Sequence, residues 1–307
     1  MKVAPIIHTR TFNCDFNSKF LVRPGKFMDS DIKWARKNVL GATGEIDGLQ
    51  GVRWLIADNK TYRMAGVVGF LKSICSECQL SEENKQRSEE LFCDNKGRLI
   101  YAFIGVVIDK YDNIDYGKLT YEYLWNIYLD KIYPIWKNTY QEVILAPFTD
   151  IKLDITSKFP PIESVFVDSK ELFESNPAVD YDLFISYLCN SNKDNFSFCS
   201  NIIDFNMVKK SDFSIVTTSQ NIITRMKRDN VVTSSLVSDE QQLKETVVVE
   251  EKEPVQMLES KKKSFIVLMI CLMTLLIIIL MLLLTKKMDA DQDNGQSALN
   301  VSNKMNV

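Results

Sequence analysis

Between Ser264 and Leu284 the chain reads SFIVLMICLMTLLIIILMLLL, 21 residues without a charge, a glycine or a proline. At about 1.5 Å per residue a helix of that length covers roughly 31 Å, the thickness of a bilayer core. A helix that is apolar on every side has no stripe to turn toward water, so the run predicts a membrane-crossing segment. Lys261, Lys262 and Lys263 precede it and Lys286 and Lys287 follow it, so the flanking positive charges are close to balanced. The opening residues, MKVAPIIHTR, lack the continuous apolar stretch of a signal peptide. Together these features predict a tail anchor on a single-pass membrane protein. Residues 1–215 form a globular cytoplasmic domain, 216–263 a polar linker, 264–284 the span and 285–307 a short polar tail.

The bilayer is therefore an expected partner through residues 264–284. The span holds no ionisable group, which argues for an anchor over a transport path. Its Leu and Ile content is compatible with self-association into a homo-oligomer, although no small-xxx-small motif marks one. The linker, rich in Ser, Thr, Gln, Glu and Lys, would act as a flexible coil reaching about 35–40 Å.

Of the 307 residues, 46% are hydrophobic, which is enough for a packed core and rules out wholesale disorder. The formal net charge of −3 gives no basic excess, so nucleic acid is not an expected partner. The six cysteines outside the span would stay reduced in a cytoplasmic domain. His8 is the single histidine, which restricts histidine-based catalysis and metal binding before any motif is considered. A Ser or Cys nucleophile would have to recruit it, and no GxSxG elbow is present.

Hydrophobic periodicity predicts an α/β or α+β domain with a single mixed sheet. Thr11–Val22 reads as a strand pair or a strand with a turn, Asp29 or Ser30 as the cap of a helix to about Leu40 stopped by Gly41, and Val52–Ala57 as a strand with a partner at 61–64. Ala65–Cys78 reads as an apolar helix and Glu82–Phe92 as a charged one. Leu99–Ile108 is apolar without alternation, as in a strand covered on both faces. Thr120 to about Glu142 carries a helical stripe, with Pro134 predicting a break near Asp130. Short strands follow at 143–145, 151–155 and 165–167, then a helix-rich stretch over 172–188 interrupted at Pro177, and a last strand between Phe196 and Val208.

Several constellations bear on chemistry. Cys75 and Cys78 have the CxxC spacing and Cys93 supplies a third thiol, but no fourth ligand completes a structural zinc site, so packing is the expected role. Gly41, Gly44, Gly48 and Gly51 match neither phosphate-loop pattern, and no cofactor is expected. Asp150-Ile151-Lys152 has the D-x-K pattern of metal-dependent nucleases, with Asp109 as the nearest guess for a second acid. Arg10, Arg23, Arg36, Arg53 and Arg63 would make an anion surface if they converged. No set is complete. The expectation is a non-enzymatic adaptor, sensor or membrane effector whose domain binds a protein or small ligand at the membrane. The alternative is a membrane-tethered enzyme acting on a nucleotide or phosphodiester.

Overall fold

The computed structural model describes residues 1–111, 117–152, 162–190 and 196–230. Residues 231–307, on which the rest of the expected linker, the apolar run at 264–284 and the expected tail fall, lie outside the described residues. Among those that are described, no helix is long and apolar enough to cross a membrane.

The described chain is a mixed α/β domain on an 11-stranded sheet. Its first half contributes β1 (Lys2–His8), β2 (Val22–Pro24), β3 (Val52–Asp58), β4 (Tyr62–Phe70), β5 (Tyr101–Asp109), β6 (Ile144–Ala146) and β7 (Thr149–Asp150). Its second half adds β8 (Val165–Val167), β9 (Lys170–Glu174), β10 (Ser197–Ile202) and β11 (Ile215–Thr218). The order is β6-β2-β1-β5-β4-β3-β10-β11-β9-β8, with β7 also paired to β1. Strands β1, β5, β4 and β3 are antiparallel neighbours, whereas β10, β11 and β9 run parallel.

Helices cover both faces. On one side lie α2 (Leu71–Ser76), α4 (Tyr121–Ile132) and α5 (Pro177–Asn190), packed on Trp54, Ile56, Ala65, Val67, Ile104 and Val106. The other side carries α1 (Asp29–Ala42), α6 (Phe205–Lys210) and α7 (residues 220–230), over Leu55, Ala57, Met64, Phe103 and Val107. The side-chain period of two sends alternate residues of β3, β4 and β5 into each layer. The charged α3 (Glu82–Glu89), capped by Ser81, lies outside these layers with a single buried residue, Ser88.

Gly66 and Gly105 face each other in register across β4 and β5. A Cβ on Gly66 would stand 2.3 Å from the Ile104 carbonyl oxygen, and one on Gly105 would meet the Phe103 ring at 2.5 Å. The paired glycines thus make room for that buried ring on the α1 side of the sheet.

Several expectations are corrected. The strand or strand pair expected over Thr11–Val22 reduces to β2, and β1, between β2 and β5, lies where the periodicity predicts no strand. Pro5 lies at its middle, paired with Val106. On the opposite side of β1, β7 pairs at Lys2 and Val3 and β2 at Ile7, so a proline without an N–H is tolerated between them. The helix expected over Ala65–Cys78 is strand as far as Phe70, because Val67 and Val68 suit a pleated surface and Gly66 admits the close approach of β5; only Leu71–Ser76 is helical. Gly41 does not end α1, which continues to Ala42. The break expected near Asp130 from Pro134 is present: α4 ends at Ile132 and a 3₁₀ turn follows. Pro177 opens α5 rather than interrupting it, consistent with its preference for the first helical turn. Past residue 215 the chain adds β11 and α7, whose Ile222, Ile223 and Met226 are buried in the core.

Candidate functional site

The parallel unit β9–α5–β10–α6–β11 follows α/β winding, and in such folds ligands gather at the carboxyl ends of the strands. Here those ends hold a concentration of buried polar groups: Asp180, Ser200, Thr217, Thr218 and the nearby Arg53. The Asp180 carboxylate accepts from Thr217 Oγ1 at 2.5 Å and from Ser175 Oγ at 2.8 Å. Thr217 Oγ1 in turn accepts from the Asn201 amide at 2.7 Å. Asn201 sits at φ 52° within the irregular register of β10, and its side-chain amide donates to the Gln50 and Val52 carbonyls. Burial pushes the Asp180 carboxyl up to about 6 against the opposing pull of the two hydroxyl bonds. None of these residues lines the clefts described below.

An open site lies at the other end of the sheet. A cleft of about 470 Å³ is walled by Lys2 of β1, Gly25 and Lys26 of the turn after β2, and Leu145, Ala146, Pro147 and Phe148 around the end of β6. Parallel pairing of β2 with β6 brings these segments together, and the Gly25 amide closes the turn on the Ala146 carbonyl at 3.0 Å. Phe148 stacks on Tyr62 with centroids 6.0 Å apart, and Tyr62 packs on Phe27 at 5.2 Å. The Lys26 ammonium lies 5.8 Å from the centre of the Phe148 ring, a cation–π contact. No carboxylate among the described residues pairs with Lys26. The cleft therefore offers a positive charge beside an apolar wall, suited to a small anion carrying an organic part.

The acids singled out from sequence lie beside this cleft. Asp150 pairs with Lys2 across β7 and β1 and is exposed. The β1–β5 register, continued one residue past Val3 and Ile108, sets Asp109 opposite Lys2 from the other side. Two strand spacings, about 10 Å, therefore separate the backbone positions of the two acids, with Lys2 between them. Lys152 is exposed. Among the described residues no group of three or more His, Cys, Asp or Glu could hold a metal.

Cys75 and Cys78 line a separate cleft of about 300 Å³ with Leu80, Phe92, Lys72 and Glu89. Burial raises both thiols, Cys78 to about 12 with Cys75, Glu122 and Glu77 adding to the effect. Cys93 does not line that cleft; it forms a bridge to Leu99. The glycine series has a packing role: a Cβ on Gly41, Gly44 or Gly48 would stand 3.4, 3.3 and 3.2 Å from Phe213, Met207 and Ile203. The arginines do not converge. Arg63 is buried on the α5 side, held by Asp58 and the Leu188 carbonyl, while Arg53 is bound to the end of α1.

Sequence reasoning missed Lys2, Lys26 and Phe148, because three separate segments supply them and no motif spacing joins them. Compared with known proteins, the chain matches no family model, no curated protein and no solved structure.

Proposed function

We propose that the chain is a single-pass membrane protein whose cytoplasmic α/β domain binds a protein or small ligand close to the bilayer. The observation that carries this reading is the uninterrupted apolar run of 21 residues at 264–284, which has the length and composition of a bilayer span. Confinement at a surface raises the effective concentration of a binding domain toward partners there. The open cleft at Lys26 supports a binding role, since it presents a cation and an apolar wall to solvent.

The test compares the full chain with a version ending before Lys261. The full chain should stay with the membrane fraction through alkaline carbonate extraction, and the shortened one should move to the supernatant. Recovery of the full chain in the soluble fraction overturns the anchor. Full cellular activity of the shortened chain overturns the need for it.

A further inference from the structure

We propose that the cleft between Lys2 and Lys26 binds a phosphate-bearing small ligand, either free or as a lipid headgroup. This deepens the binding role above and rests on it. A volume of about 470 Å³ is within the range of small-ligand sites. The geometry points to a phosphate because, among the described residues, the cations lining the cleft are lysines, with Lys26 the one that rests on a ring. An ammonium is a compact point charge with three donors, which suits a tetrahedral oxyanion, whereas the planar fork that recognises carboxylates belongs to arginine, and none lines the cleft. Lys26 is held by a ring rather than by an acid, so an incoming anion displaces no carboxylate from it. Phe148 is itself backed by Tyr62, which fixes the platform on which the ammonium rests.

The charges around the cleft limit what it accepts. Asp150 stands opposite Lys2, so the positive potential is greatest toward Lys26. That favours one phosphate group over a polyphosphate. Leu145, 57% exposed at the rim, and Phe148 give an organic substituent apolar surface to lie against.

The test uses the full chain in phosphatidylcholine nanodiscs, with inositol 1-phosphate as the free probe and discs containing phosphatidylinositol 4-phosphate as the lipid probe. Binding is read by titration and by protection of Lys26 from an amine-acetylating reagent, with exposed Lys60 as reference. Either probe should protect Lys26, and the arm that does so identifies the source of the phosphate. Lys26→Glu should weaken that binding at least about tenfold, the equivalent of about 1.4 kcal/mol, with melting unchanged. Lys26→Ala should weaken it less. Absence of binding by both probes, or equal binding by Lys26→Glu, overturns the assignment. Carbonate extraction is scored separately, so failure here leaves the anchor standing.

Discussion

The Arg53 side chain donates from Nε to the Asn201 carbonyl at 3.1 Å, tying β3 to the left-handed residue that interrupts β10. Its Nη1 reaches the carbonyls of Ala42, at 2.9 Å, and Gly44, so the same guanidinium closes the carboxyl end of α1. A helix end carries partial negative charge and unpaired carbonyls, which explains how a fully buried cation persists on backbone oxygens. Arg53→Met keeps much of the volume but orphans those oxygens. It should cost about 3 kcal/mol, read as a lower midpoint in denaturant unfolding. An unchanged midpoint would show that the oxygens find other partners.

Gly66→Ala and Gly105→Ala should each destabilise the domain by about 3 kcal/mol, because the new methyl meets the backbone of the neighbouring strand or the Phe103 ring. Gly25→Ala, where the nearest atom lies 3.7 Å away, should stay within about 0.5 kcal/mol and serves as the control. Thermal melting distinguishes the two outcomes.

Two buried groups give opposite pH slopes. Asp180 is raised from 3.8 to about 6 by burial, so its contribution to stability is full below pH 3.8 and is lost as pH rises through 6. His8 is lowered from 6.5 to about 4 by burial and then by the nearby Arg36 charge. Its contribution is full above pH 6.5 and is lost as pH falls through 4. Each effect is on the order of 3 kcal/mol, so they largely cancel between about pH 4 and 6. Asp180→Asn should therefore make unfolding more acid-sensitive across that window, and His8→Gln less. Parallel pH profiles for both variants and the parent would refute the pair.

Burial also holds the Cys78 and Cys199 thiols up at about 12. Since the thiolate is the reactive form, iodoacetamide at neutral pH should label both at least about tenfold more slowly in the folded chain than in urea. Peptide mapping by mass spectrometry reads the labelling. Rapid labelling of Cys78 in the folded chain would contradict its placement.

How much was legible depended on the range of the interactions involved. Val52–Asp58, Tyr101–Asp109 and the Ser81 cap could be read directly, because apolar runs and a capping hydroxyl act over a few residues. Ala65–Phe70 could not, since two glycines and a short apolar run fit helix or strand until β3 and β5 supply ladder partners. β1 was hidden by Pro5, whose missing N–H matters only once the neighbouring strands are in place. The Lys26–Phe148 contact spans 122 positions of sequence, so no local pattern could announce it.

Sequence by itself determined the mixed α/β character, the two-sided burial of the β5 segment and the apolar run near the carboxyl end, because period and composition are properties of neighbouring residues. Only the tertiary structure decided the strand order, the buried partners of Arg53 and Asp180, and the cleft at Lys26. Those arise when distant segments pair, and the free energy that selects such pairing belongs to the assembled sheet rather than to any stretch of chain.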